Sequence, residues 1–176
     1  MEATKRLNTR TLVLTALFIA LSLVGSHIKI FGSIAFDSLP GFLAALLLGP
    51  MYGAAIGFLG HLFSALTSGF PHSVPMHLVI AVTMAITMLG FGYAYKVFRN
   101  KVPDSVNYAI IGVVGTILNG PVSLLFSMAT LALMAGKEAA MGLLALLPIL
   151  ILASVANIVL GIVLFISLEK VWKKIK

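Results

Sequence analysis

Apolar residues run through this chain in long blocks, nearly back to back, and no other feature narrows the possible folds so far. A bilayer takes roughly 20 apolar residues per helical crossing, and several stretches here reach that length. Within lipid a backbone polar group has no water to bond, so such stretches must be helices. A soluble alternative fails on quantity: of 176 residues, 60% are hydrophobic and 10% charged, against roughly 25% charged in an ordinary soluble domain. A small water-soluble domain has too little interior to hide that much apolar side chain. The expected fold is therefore all-α and integral to a membrane: a six-helix transmembrane bundle, in one domain over residues 1–176 with no internal repeat.

The punctuation of the blocks sets the helix boundaries. Six helices are predicted, at about 9–26, 38–49, 50–68, 75–97, 106–134 and 140–169. Pro40, Pro50 and Pro75 fall in first turns, where a proline costs little. The second helix is short for a crossing and is expected to tilt or to stop within the membrane. The last two are longer than one crossing needs, and Pro121 and Pro148 are expected to kink them. The basic N-terminal stretch from Met1 to Arg10 resembles the start of a secretory signal. No small-residue cleavage site follows, so the first helix is expected to stay.

Charge gives the orientation. With six crossings, ten of the twelve Lys and Arg residues fall on one face: those before the first helix, those between the fourth and fifth, and those after the sixth. Only Lys29 and Lys137 fall on the other. Under the positive-inside rule both termini are expected in the cytoplasm. The net charge of +7 is thus a topology device rather than a footprint for nucleic acid. The external face then carries three loops, at about 27–37, 69–74 and 135–139. The first contains Ile28, Ile30, Phe31, Ile34 and Phe36, and a loop that apolar should fold back over something.

Polar groups along these helices are the candidates for function. In the third helix Gly53, Gly57, Gly60 and Ser64 form a small-residue stripe of the kind that lets a neighbouring helix approach, with His61 and Ser68 beside it. An ionisable group as deep as His61 is a functional candidate; the alternative is a histidine satisfied by a neighbouring helix. The fifth helix places Thr116, Asn119, Ser123 and Ser127 on one face, interrupted by Gly120-Pro121, and the sixth offers Ser154, Asn157 and Gly161. Two readings stand for the asparagines, interhelical bonding and ligand contact. The fourth helix opens outside with His72, Ser73, Pro75 and His77, its free N-terminal donors suited to a polar or anionic group, and then presents Met84 and Met88. Phe70 stands in the loop before it. Asp37 reads either as a ligand contact or as the N-cap of the second helix.

Absences exclude other classes. With no cysteine there are no disulfides, thiolate metal sites or Cys nucleophiles. The membrane interior carries no acidic residue for a proton relay or sodium site. No Walker motif and no HExxH occurs, and the four histidines lack the helical spacing of a metal pair. Neither a catalytic residue nor a cofactor nor a resident metal is expected.

The segment FDSLPGFLAALLLGPMYGAAIGFLGHL, residues 36–62, resembles the substrate-binding S components of energy-coupling factor (ECF) transporters. The matching positions are Asp37 and Pro40, then Gly49, Pro50, Gly53 and Gly57, and in the first helix Ala16 and Ala20 match an A-x-x-x-A pattern. Length, helix number and inside termini fit as well. The resemblance implies a subunit of a prokaryotic plasma membrane that captures a B-vitamin or vitamin precursor outside. It would dock on a transmembrane coupling protein with two ATPases, topple, and release the solute inside. Ala16 and Ala20 would face the coupling protein. The site would lie near the outer surface and draw on Asp37, His61, Ser64, Phe70, His72, His77, Met84, Asn119, Ser123 and Asn157.

The stretch GHLFSALTSGFPHSVPMH resembles members assigned to cobalamin building blocks, especially α-ribazole; folate, pantothenate and riboflavin stay open. Glu2 stands where metal-type members carry a histidine, which argues against nickel or cobalt. The other classes weighed are a membrane enzyme with His61 as base, and a haem-binding or anchoring subunit of a larger complex.

Overall fold

The computed structural model describes residues 9–31, 34–71 and 73–175. The chain runs α1 (Thr9–Ser26), a hairpin of β1 (Lys29–Phe31) and β2 (Ile34–Ala35), α2 (Leu39–Leu47), α3 (Pro50–Thr67) and α4 (Val74–Phe98). Next come α5 (Asp104–Ile117), a π turn (Leu118–Val122), α6 (Ser123–Ala135), α7 (Lys137–Gly142), a 3-10 turn (Leu143–Leu146) and α8 (Leu147–Ile175). Taking α5 to α6 as one passage and α7 to α8 as another, there are six helical passages, as expected. Four are long and apolar enough to cross a bilayer: Thr9–Ser26, Val74–Phe98, Asp104–Ala135 and Lys137–Lys174.

The second passage is different. Nine residues of α2 reach only about 13.5 Å at the usual helical rise, under half of the roughly 30 Å hydrocarbon thickness. Every residue from Pro40 to Leu47 is buried. It is a half-helix at the centre of the bundle, packed against α1, α3, α4 and α8. Phe42 is fully buried and meets Phe91 of α4 edge to face, with ring centroids 4.9 Å apart. The missing length is made up by the segment before it. The hairpin turns back from the end of α1, where Phe36 N–H donates to the Gly25 carbonyl at 3.2 Å, and Asp37 arrives beside His61. His61 precedes the end of α3 by six residues, a drop of about 9 Å. Non-helical backbone at that depth is tolerated because protein surrounds it.

This hairpin corrects the purely helical expectation. The first loop is two short antiparallel strands, with Lys29 opposite Ala35 and Phe31 opposite Ile34. Pairing satisfies backbone groups that would otherwise enter an apolar region bare.

Close helix contact explains the small residues. A Cβ at Gly53 would stand 2.6 Å from the Ala45 Cβ, and one at Gly60 2.7 Å from the Ser22 Cβ. Gly49, which joins α2 to α3, has φ +112°, a conformation that L side chains rarely adopt. It lies at the same end as Lys96, so the basic residues gather where α2 ends. There Tyr95 stacks on Tyr108, and Phe165 meets both edge-on, tying α4, α5 and α8 together.

The last two passages are each interrupted. Pro121 sits inside the π turn, because a residue without N–H cannot continue the α pattern. Pro148 stands in the first turn of α8, directly after the 3-10 turn (Leu143–Leu146) that interrupts the sixth passage. The expected loop at 135–139 shrinks to Gly136 at φ +89°, and α8 continues beyond 169 to Ile175. That last turn carries Lys173 paired with Glu169 at 2.9 Å.

Candidate functional site

At the end of the bundle away from the basic cluster, α3, α4, α6 and α8 close around a cavity of about 150 Å³. One wall is the start of the second passage and α3: Ala35, Asp37, Ser38 and His61. A second is α4 with Met76, His77, Ile80 and Met84. A third is polar, with Asn119, Ser123 and Ser127 beside Leu124. The fourth runs down the α7–α8 passage through Leu143, Leu146, Leu150, Ala153, Ser154 and Asn157. The cavity is thus greasy over most of its surface, with polar groups at two edges.

One polar edge is a chain of contacts linking three elements. Asp37 Oδ2 lies 3.4 Å from His61 Nδ1. His61 Nε2 lies 3.1 Å from His77 Nδ1, the two rings meeting edge to edge with centroids 5.3 Å apart and planes 29° from parallel. His77 Nε2 donates to the Pro71 carbonyl at 2.7 Å. Local sequence sets these positions. Ser73 caps α4 by accepting the Met76 N–H at 3.3 Å, and Pro75 follows in the first turn. That brings His77 inward, only 4% exposed. The N-cap reading of Asp37 is overturned: Ser38 occupies the N-cap of α2, with no side-chain capping bond, and the Asp37 carboxylate faces His61 instead.

The other edge is built on the π turn. Asn119 Nδ2 donates to Ser154 Oγ at 3.0 Å, and Ser123 Oγ lies 3.0 Å from Thr83 Oγ1. Asn157 is committed to structure. Its Oδ1 accepts the Leu39 N–H at 2.9 Å, and its Nδ2 donates to the carbonyls of Ala35 at 3.1 Å and Ala153 at 2.8 Å. It lines the cavity, yet its amide holds the descending segment to α8.

Of the residues singled out in the sequence, Asp37, His61, His77, Met84, Asn119, Ser123 and Asn157 all line this cavity. Ser64 is buried in the α3 packing and does not reach it. Phe70 stands behind His77, edge-on at 5.8 Å, and does not line it either. His72 lies outside the described residues. Thr116, on the far side of the π turn from Ser123, does not reach it. The leucines of the fourth wall were missed. Their spacing, Leu143, Leu146, Leu150, Ala153 and Asn157, is the repeat of one helix face and could have marked them.

Ala16 and Ala20 are exposed on α1, on the bundle's outer surface and away from the cavity. Among the described residues no group of three or more His, Asp or Glu is arranged to hold a metal ion.

The family model for the ECF transporter substrate-specific component matches residues 10–169. The chain belongs to this family. ECF substrate-specific components, or S components, bind small-molecule substrates and work with an energising module of ATPases and a transmembrane coupling component. This S component is therefore a multi-pass plasma-membrane protein and a transporter subunit, not an enzyme. It is also similar to a probable tryptophan transport protein of Clostridium acetobutylicum, at 26% identity over 94% of this chain and 95% of that one. No solved structure matches the S component significantly. Its large exposed apolar residues, such as Leu133 at 91%, are what a lipid-facing surface requires.

Proposed function

We propose that this S component captures, from outside the cell, a small solute with a fused benzo-azole ring and a hydrogen-bonding arm. The observation that carries this reading is the cavity's division into an apolar interior and two polar edges. An apolar cavity of about 150 Å³ takes up benzene, so this one, of about the same volume, suits a compact ring. Met76 and Met84 on its wall are the side chains best able to re-pack around a second fused ring. The arm would reach either the Asp37–His61–His77 edge or the Asn119–Ser123 edge.

Two solutes share this ring shape. The indole of tryptophan is favoured by the tryptophan transport relative. The benzimidazole of α-ribazole, a cobalamin building block, is favoured by the resemblance of residues 60–77 noted above. Pantothenate has no ring, riboflavin's is tricyclic, and folate's fused pteridine carries a much longer arm. The positive-inside pattern supports cytoplasmic termini and an outward-facing cavity. Ala16 and Ala20, small and exposed on α1, suit close docking of the coupling protein. The whole chain would act as one transmembrane substrate-binding domain.

Mass spectrometry of small molecules extracted from the purified protein tests this directly, followed by titration of the emptied protein with tryptophan and with α-ribazole. Submicromolar binding of either one supports the reading and separates the two. Extraction of a solute without a bicyclic aromatic ring, with neither compound binding, overturns it.

A further inference from the structure

The hydroxyls along the Asn119–Ser123 edge already have their hydrogens directed elsewhere, and this fixes what the edge can offer a solute. A hydroxyl has one hydrogen to donate, and a carbonyl oxygen can only accept. Ser154 Oγ donates to the Leu150 carbonyl at 2.7 Å, so toward Asn119 it can only accept. The Asn119 atom that faces it at 3.0 Å is therefore Nδ2, and Oδ1 is the other end of that amide. Thr83 Oγ1 donates to the Ile80 carbonyl at 2.8 Å, so the 3.0 Å contact with Ser123 runs from the Ser123 hydroxyl to Thr83. Ser127 Oγ donates to the Ser123 carbonyl at 2.9 Å.

Three acceptors result: Asn119 Oδ1, Ser123 Oγ and Ser127 Oγ. All three residues line the cavity, and Ser123 and Ser127 are each only 8% exposed. Among the described residues no donor reaches any of these oxygens. The one hydrogen these three side chains keep is the second on Asn119 Nδ2. Asn119 owes its place to the π turn, a local widening that recurs at functional sites.

We propose that this edge accepts the ring N–H of the solute, and so selects an indole-type ring over a benzimidazole substituted on nitrogen. This rests on the fused-ring reading above. An indole carries one N–H on an otherwise hydrocarbon perimeter. The edge matches that perimeter, because Leu124, Leu146, Leu150 and Ala153 line the same cavity beside the three acceptors. In α-ribazole one ring nitrogen bears the sugar and the other a lone pair. Its ring has no N–H to donate, and lone pair would meet lone pair. With the ring N–H placed here, the solute's arm falls to the Asp37–His61–His77 edge.

Tryptophan and 3-(3-benzothienyl)alanine test this, because they share one arm and one bicyclic outline and differ by sulfur in place of N–H. Both are titrated, with α-ribazole, into the emptied full chain in nanodiscs. Tryptophan is expected to bind more than about fivefold tighter than the sulfur analogue, the lower end of the cost of an unmet buried acceptor. A smaller gap overturns the proposal, as does tighter binding of α-ribazole than of tryptophan, and either result leaves the fused-ring reading in place. If no fused-ring compound binds, both fall.

The same ratio assigns the edge. It is expected to narrow in at least one of Asn119→Leu, Ser123→Ala and Ser127→Ala, where the indole N–H loses an acceptor and the sulfur analogue loses nothing. A ratio unchanged in all three overturns the role of this edge. A general loosening of the fold lowers both affinities together and leaves the ratio as it was.

Discussion

Asn157 accepts the Leu39 N–H at 2.9 Å across 118 positions of sequence, and so pins the first turn of α2 to the middle of α8. The same amide donates to the Ala35 carbonyl at 3.1 Å, which fixes the segment that dips into the bundle on both sides of Asp37. The cavity wall exists because of this tie.

Replacing Asn157 by Leu should therefore damage binding through structure. It leaves the Leu39 N–H and the Ala35 carbonyl buried without their partner, at about 1–3 kcal/mol for each group. The expected outcome is a clear drop in the thermal unfolding midpoint in detergent, together with loss of binding. Unchanged stability with binding lost would instead assign Asn157 to the ligand.

Gly53 and Gly112 form a matched pair for testing helix approach. Ala at Gly53 would drive its Cβ against Ala45 at 2.6 Å, and overpacking of this kind costs about 1–3 kcal/mol. Ala at Gly112 meets open space and removes a helix-interior glycine, worth up to about 1 kcal/mol in the other direction. Thermal unfolding of the two variants should move in opposite senses.

Ala16→Phe and Ala20→Phe put bulk on an exposed face of α1. Uptake by cells expressing the energising module should fall to background while the binding constant of the isolated protein stays the same. Parallel loss of binding would remove the docking role from these two residues.

Glu169 pairs with Lys173 at 2.9 Å and Arg99 at 3.6 Å, with both cations largely exposed. Exposed pairs contribute about 0–1 kcal/mol, so Glu169→Gln should shift stability by less than about 1 kcal/mol. Phe165→Ala, at the buried aromatic junction with Tyr95 and Tyr108, should cost about 3–5 kcal/mol. The contrast is measurable in one unfolding series.

Much of this was legible in the chain itself. The long apolar blocks dictate helices, because lipid leaves a backbone no other partner. Gly53, Gly57 and Gly60 announce close packing, because only small residues let backbones meet. His61, His77 and Asn119 stand out because polar groups are rare at such positions. What sequence spacing could not supply is which groups meet across the bundle. Asp37 and His61 are 24 residues apart and Asn157 and Leu39 are 118 apart, and no local rule pairs them. Tertiary packing alone decided that Asp37 serves His61 rather than capping α2, that Asn157 ties backbone, and that Ser64 is buried away from the cavity while Ser154 lines it. The physical reason is that helical periodicity sets the face on which a side chain lies, whereas the neighbour it finds there depends on how the helices are arranged around one another.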